Sequence, residues 1–188
     1  MSSVLYTKEF MTDKFKYPKP LGVGSSHPEH KKLIRSVMKK SNVKTVFDSG
    51  CAKGNNFTYF FVCNVPEDGM VYSTDINPQN YAIAYWLYSE GAFKEYHDRI
   101  QFFCQSSVEV MQRLADVDID MFFIDSVDND GKGGCPVADE FELIMKHWPN
   151  AHIFAHDWNR GKGKALRKYR RFLVKTINDK YGLGYFKL

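Results

Sequence analysis

No stretch of the chain approaches the ~20 consecutive apolar residues that a membrane-spanning helix needs. The opening residues, Met1-Ser-Ser-Val-Leu-Tyr-Thr-Lys-Glu9, lack the apolar core of a secretory signal. Cys51, Cys63, Cys104 and Cys135 are scattered, with no Cys-x-x-Cys spacing, which disfavours a zinc site or a disulfide framework and suits reduced thiols. Internal repeats, low-complexity tracts and linker-like segments are also missing, so nothing marks a second domain. An excess of one charge is lacking too: the net charge of +4 permits an anionic partner without requiring one. These absences lead us to expect a soluble, cytoplasmic protein with no membrane contact. What is present is a chain of 188 residues, 44% hydrophobic and 15% aromatic, enough for one domain over 1–188 with a substantial core.

Apolar runs alternate with helical patterns in the order of an open α/β sheet. After an N-terminal arm, Ser26-His-Pro-Glu29 reads as a capping box opening a helix over 27–40, which completes an arm-and-helix segment over 1–43. The sheet segment, 44–188, has strands expected near 44–49, 70–75, 100–104, 119–125 and 151–156. Helices are expected near 55–64, 79–90, 107–115, 137–148 and 163–180. The runs around Phe102 and Phe122 read as central strands buried on both faces. The fold class is a doubly wound, mostly parallel sheet with helices on both faces. Beyond Lys180 only Tyr181 to Leu188 remain, too few for two strands, so the C-terminal hairpin is expected to be truncated. An edge that short leaves a pocket open, or has it completed by a second copy in a homodimer.

The strongest local signal is Lys44-Thr-Val-Phe-Asp48-Ser-Gly50-Cys-Ala-Lys-Gly54, an apolar run feeding an acid and two glycines four residues apart. Gly50 lets the chain turn tightly after a strand, and Gly54 lets the next helix pack close to a bound ligand. Amides at that helix start face a polar or anionic group. Plain turn chemistry explains such a glycine pair as well. The second run, Met70-Val-Tyr-Ser-Thr-Asp75, ends in an acid 21 positions after Gly54. That spacing suits a βαβ unit whose acid accepts hydrogen bonds from a ribose hydroxyl pair.

Together the two motifs resemble those of class I S-adenosylmethionine-dependent methyltransferases, which have a Rossmann-like fold. A dehydrogenase-type Gly-x-Gly-x-x-Gly needs glycine where this chain has Ala52; S-adenosylmethionine has no pyrophosphate and tolerates the looser spacing. The resemblance implies a cofactor site of Asp48, Gly50, Gly54 and Asp75, with Gln105, Ser106 and Ser107 flanking the adenine and Asp125 beneath the reacting methyl.

Two acids fall at the carboxyl ends of later strands: Asp125 in Phe123-Ile-Asp125, and Asp157 in His156-Asp-Trp-Asn159. They resemble a branch that includes catechol O-methyltransferases and related small-molecule O-methyltransferases, whose metal-dependent members bind magnesium through such acids. That likeness implies Mg²⁺ on Asp125 and Asp157, acidifying and orienting a substrate hydroxyl. The chain departs from the pattern at Trp158, where an asparagine is expected, although Asn159 follows, and at Asp128, where those members place a lysine base. Asp128 then serves as a third ligand or as general base, with His156 its rival. The plainer alternatives are a capping role for Asp125, solvated loop acids at Asp128 and Asp130, and a structural histidine at 156.

Other acceptors are weakened by what is missing. Where enzymes acting on base amines carry Asn/Asp-Pro-Pro-aromatic, this chain has Asp125-Ser-Val-Asp128; the Cys135-Pro136 order is the reverse of a cytosine-methylase nucleophile; and no lysine ends the fifth strand, as ribose methylases require. A basic block from Arg160 to Arg171 can grip phosphate. It equally fits the solvated face of a helix with Leu166, Tyr169, Leu173 and Ile177 inward, while Gly161-Lys-Gly163 reads as a lid. Three readings follow: O-methylation of a small hydroxylated acceptor, methylation of RNA or a nucleotide, and S-adenosylmethionine binding without catalysis.

Overall fold

The structure, a computed structural model, describes residues 27–126 and 136–188. Pro28 at the first helical position, Glu29 in the first turn and Lys39 and Lys40 in the last match the dipole of α1 (Pro28–Lys40). Ser26 lies outside the described residues. The cap position belongs to His27, which is left-handed (φ 55°) and makes no side-chain cap bond. β1 (Thr45–Ser49) is anchored at its start by Asp120, whose Oδ2 accepts from the amides of Lys44 (2.8 Å) and Thr45 (2.9 Å). α2 (Phe57–Val62), β2 (Met70–Thr74) and α3 (Pro78–Ser89) follow, the last capped by Asn77, which accepts from Gln79 N. A 3₁₀ turn leads into β3 (Ile100–Phe103) and then α4 (Ser107–Arg113), which Ser106 caps. Next come β4 (Met121–Ile124), α5 (Val137–His147) and β5 (His152–His156).

Strand order is β3-β2-β1-β4-β5-β7-β6, with β1 to β5 parallel. Consecutive strand residues face opposite sides, so Val46 and Phe47, or Phe122 and Phe123, feed two separate cores. One face packs Ile34 and Met38 of α1, Phe57 and Phe61 of α2 and Leu87 of α3 against Val46, Val71 and Phe123. The other packs α4 and α5, through Met111, Phe141 and Ile144, against Phe47, Phe122 and Ile153. The order reverses between β1 and β4, and at such a switch point an open sheet offers its crevice. The doubly wound α/β fold is therefore present, and the five parallel strands lie where the apolar runs placed them.

Three expectations are corrected. β3 is an edge strand, with Gln101 exposed, rather than a strand buried on both faces; β4 is fully buried. The helix expected over 163–180 is absent. A π turn (Trp158–Lys162), a short α6 (Gly163–Ala165) and a 3₁₀ segment (Leu166–Phe172) lead into β6 (Leu173–Ile177). Leu-Val-Lys-Thr-Ile is rich in β-branched residues, which lose little as a strand. Because β6 begins inside the expected helix, the hairpin is complete: β7 (Leu183–Lys187) inserts antiparallel between β5 and β6. Its turn is set by Asp179, whose Oδ1 accepts from Tyr181 N (3.0 Å) and Gly182 N (2.7 Å), and by Gly182 at φ 80°. No helix among the described residues is long and apolar enough to cross a membrane.

Candidate active site

At the tip of β1 the chain turns through Gly50 (φ 96°), and the amides of Gly50 and Cys51 both donate to Thr74 O at 2.9 Å. A Cβ at Gly50 would lie 2.4 Å from the carbonyl oxygen of Asp125, so glycine lets the loop pass against the end of β4. Gly54 (φ 70°) is needed for a different neighbour than expected. Its Cβ would meet Ala84 Cβ of α3 at 2.9 Å, and Tyr88 Oη donates to its carbonyl. Asp75 projects from β2 into this loop. Its Oδ2 accepts from Ala52 N (2.9 Å) and Asn80 Nδ2 (3.2 Å), and its Oδ1 from Asn77 N (2.8 Å).

Asp48, expected among the cofactor ligands, lies beneath the loop instead. It is 1% exposed, and its Oδ2 accepts from Thr58 Oγ1 (2.6 Å) and Ser73 Oγ (2.9 Å), tying β1, α2 and β2 together. Burial pushes its carboxyl up to about 7 despite the two hydroxyls. After β3, Gln105 O accepts from Thr74 Oγ1, and Arg113 donates to the Gln105 side chain. Ser106 is occupied in capping α4, and the Ser107 hydroxyl bonds the buried Glu140. These three stand beside Asp75, whose amide donates to Phe103 O; Gln105 and Ser106 are half-buried and Ser107 is buried.

Across the switch point, Asp125, His156 and Asp157 do converge. His156 Nδ1 donates to Asp125 Oδ1 at 3.1 Å and lies 3.8 Å from Asp157 Oδ2. Asp157 sits at φ 53°, a conformation rare for non-glycine residues. Lys162, 1% exposed, is the residue that sequence reasoning missed. The π turn carries it inward, so that Nζ lies 3.2 Å from Asp125 Oδ1 and 3.9 Å from Asp157 Oδ2. The Gly161-Lys-Gly163 segment is packed as a turn that buries Lys162; flanking glycines in a basic block were the only signal.

This donor set does not fit magnesium. The ion wants about six oxygens in strict octahedral geometry, whereas here an ammonium already stands between the two carboxylates. A second cation within a few ångströms of it in a low-dielectric setting is strongly opposed. Asn159 is turned away, its Nδ2 donating to Asp179 O at 2.7 Å. The Trp158 ring is packed between Gly163 and Gly184. Asp128 lies outside the described residues.

Around the acids, Glu140 is fully buried. Ser126 Oγ donates to it at 2.9 Å, and burial raises its pKa against the opposing influence of the neighbouring serine hydroxyls. His27 and His30 of the α1 end stack beside His156. Burial lowers both of their pKa values, that of His30 to about 4, so they are neutral near pH 7. Of the basic block, Leu166 and Tyr169 point inward and Lys168 pairs with Glu142 at 2.6 Å, while Lys164, Arg167, Arg170 and Arg171 are exposed.

No family model matches the sequence, and no curated protein does. Solved structures do. An O-methyltransferase from Streptomyces achromogenes involved in tomaymycin synthesis, in complex with SAM, superposes with TM-score 0.71 at 11% identity, covering 96% of this chain and 94% of that one. An O-methyltransferase from Bacillus cereus in complex with SAH gives 0.69 at 13%, covering 89% and 84%. A methyltransferase from Geobacter sulfurreducens gives 0.64 at 19%, covering 86% and 80%. At such identities the likeness is one of fold.

Proposed function

We propose that the protein is an S-adenosylmethionine-dependent O-methyltransferase acting on a small hydroxylated acceptor. The observation that carries the reading is the meeting of Asp75 with the Gly50–Gly54 loop at the switch point, on a fold shared with structures holding SAM and SAH. In this reading the Asp75 carboxylate takes the ribose hydroxyl pair. The Gly50 turn admits the amino-acid part to within reach of backbone amides. Ile76, 66% exposed beside Asp75, offers apolar surface to a purine face, and the backbone at Gln105 and Ser106 walls its edge.

The acceptor binds over Asp125, His156, Asp157 and Lys162. Lys162, held between Asp125 and Asp157, orients the acceptor oxygen while stabilising its developing negative charge. Asp157 Oδ1, buried and without a hydrogen-bond partner among the described residues, accepts the hydroxyl proton. The oxygen then bonds to the methyl carbon as the carbon–sulfur bond breaks, releasing S-adenosylhomocysteine. Positioning supplies most of the rate.

Titration calorimetry with S-adenosylmethionine comes first, followed by a screen of phenols, sugars, nucleotides and RNA with radiolabelled methyl donor. The reading expects cofactor binding, transfer to a small acceptor, and a rate that added magnesium does not change. No cofactor binding would sink it. A strict magnesium requirement would remove Lys162 from its role, and tight binding without turnover on any acceptor would make the protein a non-catalytic binder.

A further inference from the structure

The left-handed start of α1 and the β6–β7 turn bring two histidines from the beginning of the described chain against His156. Ring centroids are 5.0 Å apart for His27 and His30, 4.8 Å for His27 and His156, and 5.5 Å for His30 and His156. Three imidazoles sharing a tetrahedral ion hold their centroids about 5.2 Å apart, given metal–nitrogen bonds of about 2.0–2.1 Å. One ring nitrogen from each histidine already lies within 4.8 Å of one from both others. Closing that to the roughly 3.4 Å of a shared ion requires the rings to turn out of their present arrangement, in which those of His27 and His30 are stacked at 18°.

The unpartnered ring nitrogens support the same site. His156 Nδ1 is spent on Asp125, which leaves Nε2, a buried atom with no hydrogen-bond partner among the described residues. His30 is fully buried with Nε2 2.9 Å from Asp179 Oδ2 as an ion-pair contact, and both of its ring nitrogens are buried without a hydrogen-bond partner among the described residues. A carboxylate behind the distal nitrogen is the usual outer support of a metal-bound imidazole, fixing the tautomer and raising basicity. His27 completes the set from a strained left-handed backbone, its ring edge-on to Tyr181 at 4.9 Å.

We propose that His27, His30 and His156 form a binding site for a zinc-class divalent ion, with a fourth coordination position left open. Three neutral nitrogen donors suit zinc, nickel or copper and not magnesium or calcium, which require oxygen. The site shares His156 with the cluster of Asp125, Asp157 and Lys162, through the ring nitrogen opposite the one held by Asp125, and does not rest on the methyl-transfer reading.

The test is titration of the metal-stripped full chain with zinc chloride against a chromophoric chelator, with thermal melts and the visible spectrum of the cobalt(II) form as independent readouts. One equivalent of zinc is expected to bind and raise the melting temperature, with magnesium giving no such rise, and cobalt(II) to give a tetrahedral spectrum. His27→Ala, the substitution at the least buried of the three rings, is expected to lower zinc affinity roughly a hundredfold or more while the apo protein still melts cooperatively. Asp157→Ala is expected to keep the site. Absence of stoichiometric binding, equal affinity in His27→Ala and the parent, or loss in Asp157→Ala with retention in His27→Ala would overturn the proposal.

Discussion

Among single residues, Asp75 and Asp48 show how two acids at the ends of neighbouring strands take opposite roles. Asp75 faces the loop and meets only amides. Asp75→Ala should weaken S-adenosylmethionine binding by roughly 1–3 kcal/mol, as expected for lost charge-assisted bonds; unchanged affinity by calorimetry in a folded variant would remove it from the site. Asp48 is sealed beneath. Between 3.8 and about 7 the folded chain keeps a proton on Asp48 that the unfolded chain gives up. Its contribution to stability therefore falls as pH rises through that window. An asparagine in its place has no proton to lose and still offers an acceptor to Thr58 and Ser73. The stability of Asp48→Asn relative to the parent should thus improve between about pH 5 and about pH 8 in denaturant midpoints. Asp48 and Asp75 look alike in sequence, each closing a strand-like run. Only the register of Asp48 against Ser73 and the approach of Thr58 separate them.

At the level of elements, the parallel strands were legible because each is a short apolar run bounded by turn residues. The hairpin was not. Leu166, Tyr169, Leu173 and Ile177 fall at helical spacing, yet the first two belong to a 3₁₀ segment and the last two to β6; spacing alone does not report where one period gives way to another. Lys162 and the two histidines of the α1 end were illegible for another reason: their partners lie far along the sequence. The π turn depends on the space Gly163 and Gly184 leave for Trp158. A Cβ at Gly184 would lie 2.7 Å from the indole, so Gly184→Ala should cost roughly 1–3 kcal/mol. It should also slow methyl transfer more than it weakens cofactor binding, which kinetics and calorimetry on the same sample would resolve. In the β5–β7 pair, His152 Nδ1 meets Tyr185 Oη at 2.9 Å, and burial lowers its pKa from 6.5 to about 4. As pH falls from 6.5 to about 4 the unfolded chain takes up a proton there before the folded one, so stability present above 6.5 drains away across that window. His152→Gln should flatten this part of the pH profile of urea midpoints.

Over the whole molecule, the proposed reading divides labour at the switch point between a cofactor half on β1, β2 and β3 and an acceptor half on β4, β5 and the segments after it. Asp157→Ala and Lys162→Met should therefore abolish methyl transfer while leaving S-adenosylmethionine affinity nearly intact. Asp125→Ala should damage both functions, because its side chain leaves the end of β4 beside the Gly50 loop and its carboxylate holds His156 and Lys162. Equal losses of binding and turnover in all three variants would show that the halves are not separable. The insertion of β7 between β5 and β6 bears on how the protein is made. Synthesis runs from the N-terminus at about 5–20 residues per second. β1, β2 and β3 leave the ribosome early, but β6 has no sheet partner until β7 has emerged. Asp179, which backs His30, and Gly182, whose carbonyl receives Trp158 N, belong to the same late turn. A nascent chain can thus assemble β1, β2 and β3 before Lys162, His30 and His156 are locked in place, and in the proposed reading competence for transfer is the last property acquired.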